Sequence, residues 1–229
     1  VWGWNHATHA GRVALSFTTK NGTRYRYLDG ANGKPTYRSE KGYTSCWYGL
    51  NEHDTVKNRL SAGMPLVLCN GEISTIAGQK HGLASVCVTS GEKPKIPDEL
   101  VTELKATLFG WNIKPKIIIA MDCDDTGRNS ARGLVHQLKR EGFEAIAIDL
   151  GLGRGGDLAD FCMLHEGESH ARLAQCATLP DEKPTPTSST YRIVDLNGLF
   201  DLPPIKWLIP RVLPKQGLIA VYGKSCTYK

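Results

Sequence analysis

Two aspartates at the end of a short apolar run are the residues of this sequence best suited to chemistry. Residues 117–121 (IIIAM) lack polar alternation, which predicts a strand buried on both faces of a parallel sheet. Asp122 and Asp124 follow two positions apart, so both side chains point the same way in an extended chain. Carboxylates that converge at the carboxyl end of such a strand suit Mg²⁺, which prefers oxygen ligands. The spacing therefore predicts a magnesium site at Asp122 and Asp124.

A helix is predicted directly after the aspartates, over residues 126–142, with Asp125 as its N-cap. The alternative interpretation of the aspartates is that they only cap this helix. Arg128 is a basic residue just past the aspartates, and it is the best candidate in this region for a phosphate contact.

The elements that must position these residues alternate between helix and strand from Asn51 onward. Strands are predicted at 65–69, 84–88, 116–121 and 144–150, and helices at 52–62, 72–81, 97–109, 126–142 and 158–165. Strands separated by helices of this length predict an α/β fold, an open parallel sheet with helices on both faces. Ligand sites in such folds lie at the carboxyl edge, where Glu72 and Asp157 also arrive on loops.

The first 50 residues carry the whole excess of positive charge. They contain seven Lys and Arg against Asp29 and Glu40, while the complete chain has a formal net charge of +5. Alternating residues around a turn at Asn21 and Gly22 predict a β-hairpin that brings basic and aromatic side chains together. Lys20, Arg24 and Arg26 are thus candidates for binding single-stranded nucleic acid, whose bases stack on aromatic rings. The alternative is that the tyrosines pack inward and the arginines are merely solvated.

Composition excludes several other classes of protein. No run approaches the roughly 20 apolar residues that span a bilayer, and the first 11 residues lack the pattern of a signal peptide. The seven cysteines never occur as CxxC, which favours free thiols in a reducing compartment over a zinc site. His6 and His9 are expected in a loop. We expect a cytoplasmic protein without a membrane partner.

Three motifs in this order resemble the Toprim domain of bacterial-type primases, phage primase-helicases, topoisomerases and some nucleases. They are LVLCNGE at 66–72, AMDCDDTGRNSA at 120–131 and GGDLADFC at 155–162, and the resemblance covers residues 65–164. It implies a four-stranded parallel sheet between helices. It also implies Asp122, Asp124 and Asp157 as metal-binding acids, with Asp160 as a further match, and Mg²⁺ or Mn²⁺ as the cofactor. The basic hairpin and WYGLNE at 47–52 resemble the N-terminal part of phage-type primase cores, which favours a primase.

The first motif departs from the Toprim pattern at its most important position. Family members usually have a glutamate immediately before the glycine, as general base or third metal ligand, and this chain has Asn70 there. Ser74 stands where an aspartate often follows. Either Glu72 enters the site from the helix start, where the helix dipole favours a carboxylate, or the site works with a shifted acid, or nucleotidyl transfer has been lost. We expect Glu72, Asp122 and Asp124 to be the catalytic acids.

The end of the chain resembles the start of a RecA-like ATPase of the replicative helicase or RepA type. A strand predicted at 218–222 runs into a loop in which Gly223 and Lys229 match the first glycine and the lysine of GxxxxGK. Tyr228 replaces the second glycine, and the chain stops before the Ser or Thr that would hold Mg²⁺. A single strand and part of a loop cannot fold as an ATPase, so no ATP hydrolysis is expected from this chain. A coincidental glycine-rich end is the alternative. Parts are expected to be missing at both ends, since primases of this type usually begin with a zinc-binding module.

Four regions are predicted on this basis. They are a basic β-rich subdomain at 1–50, a Toprim catalytic domain at 51–176, a linker at 177–190, and a truncated ATPase or helicase start at 191–229. The resemblance implies a DNA primase, a fragment of a primase-helicase, that makes short RNA primers from NTPs on single-stranded DNA and works with a helicase domain or replicative helicase. The alternatives are a catalytically inactive DNA-binding replication module and a Toprim-type nuclease.

Overall fold

The computed structural model describes residues 4–30, 36–51, 54–89, 91–180, 207–209 and 213–214. The chain divides into two compact units, residues 1–185 and 186–229. In the second unit, β11 (Trp207–Ile209) pairs antiparallel with β12 (Leu213–Pro214). The predicted strand at 218–222 and the loop residues Gly223 and Lys229 lie outside the described residues.

The first unit begins with a four-stranded antiparallel meander, which we call the N-terminal sheet. Its strands are β1 (Asn5–His9), β2 (Arg12–Thr19), β3 (Gly22–Tyr27) and β4 (Tyr37–Ser39), hydrogen-bonded in that order. The predicted hairpin is β2 and β3. The expectation that His6 and His9 lie in a loop was wrong, because β1 pairs along its whole length with β2 although it lacks apolar alternation.

A six-stranded sheet, here the central sheet, follows in the order β10-β9-β8-β6-β7-β5. Its parallel core consists of β6 (Leu66–Cys69), β7 (Ala84–Val88), β8 (Ile117–Ala120) and β9 (Ala145–Asp149). The edges are antiparallel: β5 (Trp47–Tyr48) pairs with β7, and β10 (Ala177–Thr178) pairs with β9. Residues 177 and 178, predicted as the start of a linker, therefore belong to the sheet.

Helices cover both faces of the central sheet. The helices are α1 (Asp54–Ser61), α2 (Glu72–Lys80), α3 (Asp98–Gly110), α4 (Asp125–Arg140), α5 (Leu158–Leu164) and α6 (Ser169–Leu173). Buried side chains of α1, α3 and α4 form one apolar cluster with the sheet, and those of α5 and α6, with α2 packed alongside, form a second on its other face. This arrangement confirms the predicted open parallel sheet flanked by helices. None of the described helices is long and apolar enough to cross a bilayer.

Phe17 of β2 docks the N-terminal sheet on the central sheet. Its side chain is 0% exposed and lies edge-on to Tyr48 of β5, with ring centroids 6.1 Å apart. Both rings belong to the apolar cluster that also contains Val67 and Ile118. The two sheets thus share one core, so the N-terminal sheet is held at a fixed place beside the carboxyl edge of the parallel strands.

Replacing Phe17 by alanine should therefore destabilise the chain. We expect Phe17→Ala to lower the free energy of unfolding by about 3 to 5 kcal/mol, because it leaves a cavity in a packed core. Phe109→Ala is the matched control, since the Phe109 ring is 88% exposed, and it should change stability by less than about 0.5 kcal/mol. Urea unfolding followed by circular dichroism measures both, and equal effects would contradict the shared core.

Candidate active site

A cleft of about 340 Å³ opens at the carboxyl edge of the central sheet, facing the N-terminal sheet. The loops after β6, β7 and β8 and the start of α5 contribute to it, as expected for a parallel sheet. One wall is acidic and the other carries arginines. The lining residues are Arg24, Arg26, Tyr37, Asn70, Gly71, Glu72, Ile73, Ser74, Gly91, Glu92, Asp122 and Asp157.

Asp122 lies at the centre of the acidic wall. Its Oδ1 accepts a hydrogen bond from Asn70 Nδ2 at 2.5 Å, and its backbone N–H donates to Glu92 Oε1 at 3.0 Å. Burial and then the charges of Glu92, Asp157 and Asp124 raise the pKa of Asp122 to about 7, against the hydrogen bond from Asn70, which lowers it. Asp122 is thus harder to ionise than an isolated aspartate in the absence of a bound cation.

Asp124 has a different orientation from the one that its spacing predicted. Its Oδ1 accepts from the backbone N–H of Gly127 at 2.8 Å, so Asp124 is the N-cap of α4. The prediction that Asp125 is the cap was wrong, since Asp125 is the first helical residue and its side chain is 99% exposed. The reason is that β8 ends at Ala120, so the two-residue alternation of a strand no longer applies at 122 and 124. Metal binding by Asp124 stays a prediction.

Asp157 reaches the cleft at the start of α5, after the loop that follows β9. It is the N-cap of α5, and its Oδ1 accepts from the backbone N–H groups of Ala159 and Asp160. Its Oδ2 accepts from Ser74 Oγ at 3.0 Å, and Ser74 is itself buried. Asp160 closes a capping box by accepting from the Asp157 backbone, and its side chain is thereby directed at the helix end.

Glu72, the expected catalytic acid, is 2% exposed and forms an ion pair with Arg24 of the N-terminal sheet. Glu72 opens α2, where a carboxylate is favoured by the helix dipole. Arg24 Nε is buried and has no hydrogen-bond partner in the part of the chain described. Glu72 thus engages Nη1 of this guanidinium, while Nε remains a donor for a ligand.

The remaining basic candidates are distributed over three places. Arg26 lines the cleft beside Arg24, and both guanidinium groups lie over the Tyr37 ring, at 5.8 and 5.1 Å from its centroid. Lys20 lies at the hairpin turn and pairs with Glu103 of α3 at 2.5 Å. Arg128 lies on the other side of the Asp122 loop, where its Nε donates to Asp149 Oδ2 at 3.1 Å.

Sequence reasoning missed Glu92 and Tyr37. Glu92 sits on the loop after β7, and burial is the main cause that raises its pKa. Its signal was available in principle, because an acid four residues beyond the last residue of a buried strand belongs at the carboxyl edge. Tyr37 follows a stretch without recognisable periodicity, and no signal pointed to it.

The donor set of the cleft fits a magnesium ion. Glu92, Asp122 and Asp157 offer carboxylate oxygens, and the amide Oδ1 of Asn70 is buried without a hydrogen-bond partner among the described residues. In the described part of the chain no group of three or more His, Cys, Asp and Glu side chains converges as a metal site. Mg²⁺ in proteins usually binds through one or two carboxylates and completes its coordination with water and substrate phosphates.

Comparison with solved structures identifies the fold. The chain is similar to the zinc-binding and RNA polymerase domains of Aquifex aeolicus primase (15% identity, TM-score 0.53, 73% of this chain and 41% of that one). It is also similar to a DNA primase domain from Pseudomonas aeruginosa, with 17% identity and a TM-score of 0.53 over 76% of this chain and 56% of that one. A third similar structure is the RNA polymerase domain of Mycobacterium tuberculosis primase DnaG in complex with a double-stranded DNA oligomer with a 6-nucleotide overhang. Its identity is 15% and its TM-score 0.53, over 78% of this chain and 58% of that one.

No protein-family model and no curated protein sequence matches the chain. The chain spans about half the length of the structures that it resembles. At these identities the likeness concerns the fold, and it agrees with the α/β architecture. The chain thus shares a primase-type fold with part of these structures.

Proposed function

We propose that the chain is the catalytic part of a DNA primase, a magnesium-dependent enzyme that makes short RNA primers on single-stranded DNA. The observation that carries the proposal is the cleft itself. Within a primase-type fold, it places the acids Glu92, Asp122 and Asp157 opposite the arginines Arg24 and Arg26. Such an arrangement matches a nucleoside triphosphate, whose phosphates need both cations and hydrogen-bond donors.

Mg²⁺ bound at these oxygens would neutralise triphosphate charge and favour ionisation of the attacking 3′-hydroxyl. We place Asp122 at the centre of that site, with Asp124 and Asp157 as the other ligand candidates from the sequence. Arg24 Nε and the Arg26 guanidinium would donate to phosphate oxygens on the opposite wall. Glu72, as the ion-pair partner of Arg24, orients that guanidinium, and it can accept a proton only after releasing it.

The template is proposed to be single-stranded DNA. A similar primase domain is known in complex with a DNA duplex that carries a single-stranded overhang. The N-terminal sheet presents Arg24, Arg26 and Tyr37 to the cleft, and Lys20 at the turn between β2 and β3 is a further candidate for contact with the template. The helicase connection, the phage-type origin and a cytoplasmic location rest on the sequence alone and complete this proposal.

A non-catalytic DNA-binding module is the second candidate. The observation in its favour is Asn70, an amide at the position where related sites carry a glutamate, hydrogen-bonded to Asp122. A Toprim-type nuclease is the third candidate and would use the same acids to cut DNA. Primer synthesis and strand cleavage give different products, so one assay separates all three.

The decisive assay incubates the chain with single-stranded DNA, labelled NTPs and Mg²⁺ or Mn²⁺. We expect short RNA products, and Asp122→Ala should reduce them by at least about 100-fold, because metal-held charge stabilisation supplies several kcal/mol. Asp125→Ala is the matched control, since the exposed Asp125 side chain lies outside the cleft lining. DNA binding without any product would favour the non-catalytic module, and DNA fragments would favour the nuclease.

Gly127 tests whether α4 positions Asp122. A Cβ at Gly127 would overlap the backbone carbonyl oxygen of Asp122, whereas one at Gly110 would meet no atom within 4 Å. We expect Gly127→Ala to displace the Asp122 loop and to lower primer synthesis by about 10- to 100-fold, as small misplacements of catalytic groups do. Gly110→Ala, the control at the end of α3, should retain full activity. Equal activities would show that the loop tolerates the displacement.

The stability of the metal-free chain should depend on pH through Asp122. Its pKa is raised from 3.8 to about 7 in the folded state, so the folded chain binds more protons than the unfolded chain between these values. Stability from this group is therefore greatest at low pH and falls as pH rises from about 4 to about 7. Asp122→Asn removes the charge. We expect the melting temperature of the variant to exceed that of the parent chain more at pH 8 than at pH 5. A constant difference would contradict the raised pKa.

A further inference from the structure

The loop that carries Glu92 is fixed on α4. The amide of Gln137, a residue that is 5% exposed, accepts from Ile96 N at 2.8 Å and donates to Ile96 O at 2.7 Å. Gly133 lies so close to this loop that a Cβ there would be 2.5 Å from the carbonyl oxygen of Pro94. The segment between β7 and α3 is thus packed against the same helix that Asp124 caps. Glu92 is consequently held by the framework of the site.

The carboxylate of Glu92, on the loop after β7, contacts the loop after β8. In the strand order β8-β6-β7, Glu92 follows β7 while Asp122 follows β8, and β6 lies between them. Nevertheless Glu92 Oε1 accepts from the backbone N–H of Asp122 at 3.0 Å. The Glu92 carboxylate and Asn70, which stands at the place of the missing glutamate, therefore contact the same residue, Asp122, and line the same cleft.

Glu92 and Glu72 differ in whether a basic side chain neutralises them. Glu72 is neutralised by Arg24 in a buried ion pair. Among the described residues, neither Glu92 nor Asp122 forms an ion pair with an Arg or Lys side chain. Asn70 donates a hydrogen bond from Nδ2 to Asp122, and its buried Oδ1 has no hydrogen-bond partner in the part of the chain that the structure describes. Two acids and an amide thus line one cleft around the Asp122 peptide, and neither acid is neutralised by a described Arg or Lys side chain.

We propose that Glu92 supplies the carboxylate that position 70 lacks, and that Glu92, Asp122 and the amide oxygen of Asn70 together bind the divalent cation of the site. In this proposal the carboxylate comes from the loop after β7 and not from the end of β6. The inference rests on the proposed function for the use of the cation, but cation binding itself can be measured without any catalysis.

The test is Mn²⁺ binding by the full chain, with free Mn²⁺ measured by electron paramagnetic resonance. Glu92→Gln keeps an oxygen that can accept from the Asp122 N–H and removes only the charge. We expect it to weaken Mn²⁺ binding by at least about 10-fold, the smallest effect usual for residues that support a metal site. Glu99→Gln on α3, at an exposed position, is the matched control and should bind like the parent chain.

A second variant tests the exchange of positions. Asn70→Glu combined with Glu92→Gln places the carboxylate back at the end of β6, and we expect it to recover Mn²⁺ affinity to within about 3-fold of the parent chain, which is within context scatter for such sites. Thermal melting without metal checks that each variant is folded. Glu92→Gln should melt no lower than the parent, because it relieves repulsion with Asp122.

The outcomes separate this inference from the proposed function. If Asp122→Asn abolishes Mn²⁺ binding while Glu92→Gln leaves it unchanged, the role of Glu92 is refuted and the metal-dependent function stands. If the parent chain shows no Mn²⁺ binding that depends on Asp122, both fall. If Glu92→Gln weakens binding but the chain makes no primers, Glu92 is a ligand in a protein with another function.

Discussion

Three loops meet on a single residue, Asp122. Its side chain accepts from Asn70, its N–H donates to Glu92, and its carbonyl oxygen leaves no space for a side chain at position 127. The loops after β6, β7 and β8 are therefore linked to one peptide, and α4 starts directly behind it. Because hydrogen bonds inside a protein are stronger in a low dielectric, such a junction defines the distances at the site closely.

The acids of this junction act against the stability of the fold. Carboxylates that are half buried and close together resist ionisation, which is seen as the raised pKa of Asp122 and of Glu92. The ion pair of Arg24 with Glu72 adds a further desolvation cost, since two charges are taken out of water. Evolution tends to retain such costs where a ligand offsets them, and a divalent cation with a triphosphate would offset both.

The Arg24–Glu72 pair also explains how two separate sheets form one cleft. Phe17 provides the apolar contact between the sheets, but apolar packing alone is tolerant of rotation and small shifts. A buried ion pair with a defined geometry is far less tolerant, so it sets the register of β3 against α2. The arginines are thereby aimed at the acids, and the aromatic ring of Tyr37 supports both guanidinium groups.

Most of the framework could be predicted because it depends on local patterns. The apolar runs of β6 to β9 and the helices between them have strong periodicity, and their observed bounds differ from the predicted ones by at most two residues. The errors arise where the chain leaves regular structure. The prediction extended the two-residue alternation of a strand past Ala120, and it therefore pointed Asp124 at the site and made Asp125 the helix cap. In the structure α4 begins one residue earlier than predicted, and Asp124 is the cap.

Glu92 shows the other limit of sequence reasoning, and it bears on the meaning of Asn70. A sequence motif describes residues that are close along the chain, whereas a site consists of residues that are close in space. Loops that follow neighbouring strands of a parallel sheet meet at the same edge, so any of them can supply a residue to the site. With a glutamate at position 70, three carboxylates would crowd the Asp122 peptide, and the repulsion would grow. An amide there instead donates to Asp122 and offers an oxygen, while Glu92 brings the second charge from β7. The amide and the glutamate are thus one solution to the same electrostatic problem, and the absence of a glutamate from the motif does not by itself indicate an inactive site.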